Sequence, residues 1–320
     1  MQHRTIPGTD ISLSVVGFGC WAMGKQYWGD DVEDDVSIQA VHTALDEGIN
    51  WFDTAPLYGE GHADAVLVQA LGSRKKDVVI ATKVGVRLDG KDGHAQSDLS
   101  AEWIIEDTEA SLRRLGLSCI DLLQVHWPCE FGSDFDSTME ALEKLREKGH
   151  IRYFGLCNYE ADDVRLAKAH PGMVSLQTPY SMLRREFEQS LRASCTSGRT
   201  LAVLAYEPLC RGLLSGKFLQ QPTFPETDMR SWDERFQGSR FIHAQQLCGS
   251  LAKVGQKLEL PTAAIAVGWA IAQPGITAAI VGAKTSEQVR QNVRAAELLQ
   301  KPKALRVIDQ IAAIHGGWPK

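Results

Sequence analysis

The sequence predicts an α/β protein folded as a (β/α)8 TIM barrel with an N-terminal β-hairpin and extra helices. Short apolar runs of strand type recur eight times, and an amphipathic stretch follows each of them. Runs such as DVVIATK at 77–83 are apolar almost throughout, which is typical of parallel strands buried on both faces. Because such barrels reach 320 residues as single domains, we expect residues 1–320 to form one domain.

The predicted strands and helices alternate along the whole chain. The strands cover residues 15–19, 50–54, 77–83, 121–126, 152–157, 174–177, 201–206 and 278–283. The helices cover residues 34–47, 62–71, 101–115, 136–148, 160–169, 187–197, 261–273 and 286–299. In the first helix, Val36, Val41, Ala44 and Leu45 share one stripe, and Gly48 can end the helix.

Several stretches fall outside these eight units. Residues 3–19 carry a Pro-Gly-Thr-Asp turn between alternating residues, which predicts a hairpin that caps the bottom of the barrel. The insert 207–241 is rich in Pro, Gly and Arg, and an insert of this length is usually a functional lid or a partly mobile loop. An additional helix is expected at about 242–256 and a final external helix at 302–315.

Composition excludes several classes of function. The formal net charge is −6 and no long Lys/Arg run occurs, which argues against nucleic acid as a partner. No apolar run approaches the length of a membrane span, and the N-terminus lacks an apolar signal core. The seven cysteines show no CxxC pair and no Cys/His ligand spacing, which indicates free thiols. We therefore expect a soluble, cytoplasmic protein with no membrane partner.

Four side chains of complementary chemistry follow neighbouring predicted strands. Asp53 and Tyr58 lie in WFDTAPLYG, Lys83 ends ATK, and His126 lies in LLQVHWP. Because residues at the C-terminal ends of barrel strands converge on one face, these four side chains can meet. A free tyrosine has a pKa of about 10, and a nearby ammonium favours the phenolate and lowers that pKa.

This set suits proton transfer to a carbonyl oxygen while a hydride arrives at its carbon. Asp53 would hold and orient Lys83, and a neutral His126 would hydrogen-bond a substrate oxygen. Each of the four residues also has an ordinary structural explanation when taken alone. An alternative uses Lys83 as a Schiff-base amine in a barrel isomerase or aldolase, but it leaves Tyr58 and Asp53 unexplained. We predict no metal site, because no second ligand stands at ligand spacing from His126.

These motifs resemble the aldo-keto reductase family. DTAPLYG matches the family's D-x-A-x-x-Y-G segment, and TK and VHWP follow in the family's order. The subgroup that the chain is most similar to is a bacterial one with inositol-operon oxidoreductases and relatives of potassium-channel β subunits. The resemblance implies NADP(H) as cofactor and a small-molecule carbonyl or alcohol as substrate. It also implies Tyr58 as general acid, Lys83 and Asp53 as tuning residues, and His126 as the residue that orients the carbonyl.

The resemblance assigns nicotinamide contacts to residues after several strands. GFGCWAMG lacks the spacing and context of a Rossmann fingerprint, and Trp21 within it would lie near the nicotinamide or the substrate. Cys157 and Asn158 match the pair that contacts the carboxamide, and Gln177 matches its other ligand. The family often has Ser where Cys157 stands, and a thiol is a weaker hydrogen-bond partner. A structural amide in the barrel is the alternative for Gln177.

The segment AYEPLCRGLLSGKF matches the loop after strand seven of the family. Tyr206 would stack on the nicotinamide ring, and four residues would line the pyrophosphate: Pro208, Leu209, Arg211 and Lys217. Glu207 replaces the usual Ser, and its role is not predicted. Arg230 would either reach a phosphate or be a solvated loop charge.

The last matching segment is IVGAKTSEQVRQNV. Gly282 permits close backbone approach, and the N-terminus of the following helix offers amides to a phosphate. Lys284 could contact the adenosine 2′-phosphate as a point charge. Three residues on one helix face match the adenine-contacting positions: Gln288, Gln291 and Asn292. A capping box of Thr285 and Gln288 is the competing interpretation.

The substrate side is expected to be aromatic. The candidate walls are Trp21, Trp28, Trp127 and Tyr180, of which Trp28 and Tyr180 could instead belong to the core. A short tail after the final helix predicts an open pocket that tolerates many aldehydes. The rival hypothesis is a cofactor-sensing, catalytically slow subunit that resembles the channel β subunits.

Overall fold

The computed structural model describes residues 1–29, 32–88, 95–129 and 134–318. A hairpin of His3–Thr5 (β1) and Ser12–Ser14 (β2) comes first. Eight parallel strands then form a closed barrel: Val16–Gly19 (β3), Trp51–Asp53 (β4), Val79–Val84 (β5), Ile120–Val125 (β8), Ile151–Cys157 (β9), Met173–Pro179 (β10), Ala202–Tyr206 (β11) and Ala278–Gly282 (β12). A small antiparallel pair, Val86–Arg87 (β6) and Gln96–Ser97 (β7), lies outside the barrel.

Helices surround the barrel in the order that the sequence predicts. Their bounds are Asp34–Asp46 (α1), His62–Leu71 (α2), Ala101–Leu115 (α3), Phe135–Glu147 (α4), Ala161–Ala167 (α5), Leu191–Thr196 (α6), Gly238–Leu258 (α7), Thr262–Ala272 (α8), Ser286–Val293 (α9), Ala295–Leu298 (α10) and Pro302–His315 (α11). Two predicted helices are shorter than expected. The 187–197 segment is a 3-10 turn at Glu186–Glu188 followed by α6, and the 286–299 segment is divided into α9 and α10.

The barrel closes through the pairing of β12 with β3, so none of its eight strands is left at an edge. The register places Gly282 beside Gly19 and Lys83 beside Gln124. All eight predicted strands are confirmed. Since every strand runs in the same direction, their C-terminal residues meet at one end of the barrel.

The hairpin caps the opposite end, as predicted. Ile6, Ile11 and Leu13 are buried against residues near the starts of the barrel strands, including Val174 and Trp51. The indole N–H of Trp51 donates to the carbonyl of Ser14 over 2.8 Å and ties β4 to the hairpin. Gly8 turns the chain with φ of +76°, a conformation that glycine adopts without strain.

The insert 207–241 is built from short 3-10 turns at Leu213–Ser215, Met229–Ser231 and Glu234–Phe236. It passes into α7, the additional helix expected at about 242–256. The backbone amide of Met229 donates to the carbonyl of Tyr27 over 3.0 Å, which joins the insert to the loop after β3. Among the described residues, we find no helix that combines the length and the apolarity needed to cross a membrane.

Candidate active site

One large cavity opens at the C-terminal ends of the barrel strands. Its volume is about 1480 Å³, larger than the roughly 300–1,000 Å³ of most small-molecule sites. The predicted catalytic and cofactor-binding residues line it together with Trp127: Trp21, Asp53, Tyr58, Lys83, His126, Trp127, Cys157, Asn158, Gln177, Tyr206, Pro208, Leu209, Arg211, Lys217, Arg230, Gly282, Lys284, Gln288, Gln291 and Asn292. The fold therefore gathers the separated motifs into a single site.

The ammonium of Lys83 lies at the centre of this site. Lys83 Nζ donates to Oδ1 of Asp53 over 2.7 Å, to the carbonyl oxygen of Thr54 over 3.0 Å and to the phenol oxygen of Tyr58 over 3.0 Å. These three acceptors use all three hydrogens of an ammonium. Because the Tyr58 oxygen accepts from Lys83, its own hydrogen is available to another acceptor.

Lys83 is buried and charged. Its side chain is 1% exposed, and burial alone favours the neutral amine. Asp53 and then Tyr58 reverse this effect and raise the pKa of Lys83 above its ordinary value. The lysine therefore stays an ammonium beside the phenol.

The pKa of Tyr58 is raised above its ordinary value, which is opposite to the prediction. Burial is the largest cause, Lys83 opposes it, and the carboxylate of Asp53 adds to it. The predicted effect of the ammonium is present, but the loss of water around the phenol outweighs it. Tyr58 is thus held in its protonated form, which is the state of a proton donor.

His126 follows β8 and contributes a neutral imidazole, as predicted. Burial and then the charge of Lys83 lower the pKa of His126 well below its ordinary value. Its ring stacks on Trp127 at 3.9 Å between centroids and meets the Tyr58 ring edge-on at 6.2 Å. The imidazole and the phenol therefore border the same part of the cavity.

A chain of hydrogen bonds runs from Asp53 to Tyr206, the last residue of β11. Gln177 donates from its amide to Oδ2 of Asp53 over 2.8 Å, and its amide oxygen accepts from the thiol of Cys157 over 3.5 Å. The Asn158 amide donates to Cys157 Sγ over 3.3 Å, while its oxygen accepts from the Tyr206 hydroxyl over 2.6 Å. Burial raises the pKa of Cys157 to about 12, so this residue is a thiol and not a reactive thiolate.

Glu207 belongs to a closed ring of four charged side chains, a role that the sequence did not reveal. Arg211 donates to Glu207 over 2.8 Å and to Asp233 over 3.0 Å, and Arg235 donates to the same two carboxylates over 2.9 and 2.6 Å. Although burial raises the pKa of Glu207, Arg235 and Arg211 lower it below its ordinary value. The ring ties the loop after β11 to the far part of the insert.

The prediction that Arg230 is a phosphate contact or a solvated loop charge needs correction. Its solvated alternative is wrong, because Arg230 is 8% exposed and paired with Asp228. The guanidinium also lies over the rings of Phe224 and Trp28, at 4.3 and 5.3 Å from their centroids. Arg230 lines the cavity with its charge already balanced by Asp228.

Lys284 and residues of α9, which follow β12 in the sequence, line one part of the cavity. Lys284 Nζ donates to the carbonyl oxygen of Trp28 over 2.8 Å. Thr285 caps α9 by accepting from the Gln288 amide over 3.3 Å, while the Gln288 side chain accepts from the amide of Lys284 over 2.7 Å. Half of the predicted capping box is therefore present, and Gln288 reaches one residue further back than that box requires.

Three of the four predicted aromatic walls line the cavity. Trp21 stacks near Tyr58 at 6.1 Å between centroids and meets the edge of Trp28 at 5.3 Å, and Trp127 is 36% exposed at the rim. Of the two interpretations of Tyr180, the place in the core is the one that the structure supports. Tyr180 is fully buried, stacks on Trp269 at 5.7 Å and donates its hydroxyl to Glu188, so it belongs to the core.

The final residues of the described chain lie away from the cavity. The amide of Gly317 donates to the carbonyl oxygen of Met182 over 2.8 Å, and its own carbonyl contacts His243. None of the described residues after Asn292 lines the cavity.

Sequence reasoning missed the acidic partners of the arginines, Asp228 and Asp233, and also Arg235. A signal was present in the spacing, because Asp228 with Arg230 and Asp233 with Arg235 are each two residues apart. In both pairs the aspartate accepts from the backbone amide and from the guanidinium of that arginine. In each Asp-x-Arg segment, the aspartate therefore holds the arginine in place and balances its positive charge.

The cavity fits a nicotinamide dinucleotide in its size and in the groups along it. The buried amide of Gln177 and the half-buried amide of Asn158 lie beside the acid–base residues, where an amide-bearing ring can hydrogen-bond. Tyr206 presents an aromatic ring close by, and Lys217, Lys284 and the N-terminus of α9 border the far part, where phosphates are favoured.

The sequence profile of the Aldo/keto reductase family matches residues 15–313. Aldo-keto reductase YhdN of Bacillus subtilis (strain 168) is 33% identical over 292 residues, which cover 90% of this chain and 87% of that protein. The NADH-specific methylglyoxal reductase of Escherichia coli (strain K12) is 30% identical over 307 residues, with coverages of 92% and 93%. The solved structure of the glycerol dehydrogenase AKR11B4 from Gluconobacter oxydans matches with a TM-score of 0.88 at 33% identity, covering 99% of this chain and 97% of that one. The chain therefore belongs to the aldo/keto reductase family of nicotinamide-dependent oxidoreductases.

Proposed function

We propose that the protein is an NADP-dependent oxidoreductase that interconverts carbonyl compounds and alcohols, with Tyr58 as the general acid and base. The observation that carries this proposal is the buried triplet in which Lys83 Nζ lies 2.7 Å from Asp53 and 3.0 Å from the Tyr58 oxygen. The ammonium balances the charge that appears on the phenol oxygen when its proton leaves.

In the reducing direction, a bound reduced nicotinamide supplies the hydride. Tyr58 donates its phenolic proton to the carbonyl oxygen as charge develops there, and Lys83 stabilises the resulting phenolate. Asp53 keeps Lys83 charged and in place throughout. In the oxidising direction the same phenolate accepts the proton of the alcohol.

His126 orients the carbonyl in this proposal. Because its pKa is lowered well below the ordinary value, the ring remains a neutral imidazole and can donate one N–H without taking the substrate's proton. Trp21, Trp28 and Trp127 form an aromatic rim beside the reacting groups. We expect this rim to accept aldehydes of varied shape.

The preference for NADP is a separate part of the proposal and rests on Lys284. A 2′-phosphate is a charged acceptor, and an ammonium such as that of Lys284 binds it more strongly than it binds a neutral carbonyl oxygen such as that of Trp28. The specificity of the Escherichia coli relative for NADH makes a direct test necessary.

The acid–base role is tested with NADPH and 4-nitrobenzaldehyde. We expect Tyr58→Phe to lower kcat by about 100-fold or more, because no other described group occupies the donor position. The matched control is Tyr153→Phe, which removes a phenol that contacts Asp10 outside the cavity and should leave kcat unchanged. Full activity in Tyr58→Phe would refute the acid role, and a parent without turnover would favour the cofactor-sensing subunit.

The cofactor preference is tested by fluorescence titration with NADPH and NADH. We expect Lys284→Ala to weaken NADPH binding by about tenfold and to leave NADH binding unchanged, because only NADPH carries the 2′-phosphate. Lys303→Ala, at the exposed start of α11, is the control for loss of a positive charge. Equal weakening of both cofactors would remove Lys284 from the 2′-phosphate site.

A further inference from the structure

A second group of buried polar side chains lies behind Lys83, outside the cavity. Thr54, Asp64 and Ser111 are fully buried, and Asp107 is 5% exposed. None of them borders the cavity, so they do not touch a substrate or a cofactor. Any effect that they have on catalysis must pass through residues that do.

Asp64 reaches Lys83 through Thr54. The Thr54 hydroxyl donates to Oδ1 of Asp64 over 2.6 Å, and the Thr54 carbonyl oxygen accepts from Lys83 Nζ over 3.0 Å. The Thr54 amide donates to the carbonyl of Ala81 over 2.9 Å. Thr54 is thus fixed at its side chain, its amide and its carbonyl, and the carbonyl is one of three acceptors that set the position of the ammonium.

Asp107 holds the chain on the other side of Lys83. Its Oδ2 accepts from the amide of Gly85, two residues after the lysine, over 3.0 Å. Gly85 has φ of +93°, and a Cβ there would lie 2.4 Å from the Leu99 side chain. The end of β5 is therefore placed by a backbone conformation that depends on glycine and by one buried carboxylate.

Arg114 ties Asp64 to α3, the helix that also carries Asp107. Its Nε donates to Oδ2 of Asp64 over 3.1 Å, and its Nη2 donates to the Ser111 hydroxyl over 2.8 Å. Asp107, Ser111 and Arg114 all lie on α3, whereas Asp64 lies on α2. Two helices thus hold the two backbone segments that flank the ammonium.

In the Arg114–Asp64 pair the carboxylate is fully buried and the arginine side chain is 31% exposed. Such an ion pair contributes little net stability compared with apolar packing, so it is best explained by the geometry that it fixes. We propose that Asp64, acting through Thr54, and Asp107, acting through Gly85, are positioning residues that set the distance from Lys83 to Tyr58. This inference rests on the proposed function, in which that distance controls how well the ammonium stabilises the phenolate.

The test uses Thr54→Val, which removes the hydroxyl and keeps the carbonyl and the shape of the side chain. We expect kcat to fall by about 10- to 100-fold, because small displacements of catalytic groups have effects of this size. The KM for the aldehyde and the affinity for NADPH should stay close to those of the parent. Thr54→Ser retains the hydroxyl and should restore kcat.

The matched control is Thr108→Val. Thr108 is also fully buried, but its hydroxyl donates over 2.6 Å to the carbonyl of Ile104 within its own helix. This variant loses a buried hydroxyl of the same kind and should keep the parent kcat. Equal losses of kcat in Thr54→Val and Thr108→Val would show a general structural effect and would overturn the proposal.

A second measurement does not depend on activity. The buried, fully hydrogen-bonded ammonium of Lys83 should give a slowly exchanging N–H signal in ¹⁵N NMR, assigned by its loss in Lys83→Met. Thr54→Val should shift or broaden this signal, and Thr108→Val should not. An unchanged signal and an unchanged kcat in Thr54→Val would refute the positioning role. If Thr54→Val changes the Lys83 signal but the parent protein reduces no carbonyl compound, the proposed function alone would be refuted.

Discussion

Gln177 donates its amide hydrogen bond to Oδ2 of Asp53, the carboxylate oxygen that Lys83 does not use. The two contacts, of 2.8 and 2.7 Å, occupy both oxygens of one buried carboxylate. Asp53 therefore links the proposed carboxamide contact to the proposed acid–base pair. A substitution at Asp53 should therefore disturb both the proposed carboxamide contact and the proposed acid–base pair.

Asp53→Asn should destabilise the protein and reduce its activity. The change leaves the Lys83 ammonium buried without its anionic partner, which typically costs about 3–5 kcal/mol. The pKa of Lys83 should fall, because Asp53 has the largest effect among the groups that raise it against burial. Chemical denaturation gives the stability and steady-state assays give kcat.

The double variant Asp53→Asn with Lys83→Met is the control for this prediction. Removal of the unpaired charge should recover part of the lost stability but none of the activity. A single variant as stable as the parent would show that Asp53 does not hold the ammonium in solution.

Glu207→Gln should tighten cofactor binding while it weakens the fold of the insert. The change removes one of two negative charges from the ring, so Arg211 and Arg235 share only Asp233. The positive potential beside the proposed pyrophosphate position rises, and we expect NADPH to bind several-fold more tightly at low salt. Titrations at two salt concentrations and thermal unfolding measure both effects.

Glu234→Gln serves as the control for Glu207→Gln. Glu234 is in the same insert, but its side chain is 78% exposed and pairs with Arg240 at the surface, where such a pair contributes little. Glu234→Gln should change neither the affinity for NADPH nor the stability of the protein. If Glu207→Gln behaves in the same way, the ring has no influence on the cofactor site.

Gly59→Ala should lower kcat by disturbing Tyr58. A Cβ at residue 59 would lie 2.2 Å from the carbonyl oxygen of Gly24, and φ is +62°. The two backbones must separate, and Tyr58 moves with them. Gly149→Ala is the control. Gly149 has a similar φ of +77°, but no atom lies within 4 Å of the added Cβ, so this variant measures only the conformational cost of about 1–2 kcal/mol without a clash. Equal stability and kcat in the two variants would contradict this account.

Asp107→Asn should change how stability depends on pH. Burial raises the pKa of Asp107 to about 6, so the folded protein keeps this proton at pH values where the unfolded chain has lost it. Between about pH 4 and 6 the folded state binds more protons, so this group lowers stability as pH rises and has no further effect above about pH 6.

The variant lacks this titration and should gain stability relative to the parent by up to about 3 kcal/mol as pH rises from 4 to 6. An asparagine oxygen can still accept from the Gly85 amide, so the backbone contact is retained. Denaturation curves at several pH values measure the difference, and a constant difference from pH 4 to 7 would contradict the prediction.

The sequence by itself determined the barrel and the set of residues at its mouth. Period and apolarity define each strand, and the direction of parallel strands then places Asp53, Lys83, Tyr206 and Gly282 at one end. This inference needs no distances, because the C-terminal ends of all strands in a closed parallel barrel lie at the same end of the barrel. The family followed from the same motifs and is confirmed.

Only the tertiary structure decided how these groups are charged and paired. The pKa of Tyr58 depends on how much water burial removes, and Tyr180 belongs to the core because Trp269 lies against it. Glu207 pairs with Arg235, which follows 28 residues later in the chain. Asp64 is connected to Lys83 through hydrogen bonds of Thr54. Such contacts join residues that are distant in sequence, and the energies of buried charges depend on their complete surroundings, so spacing alone could not reveal them.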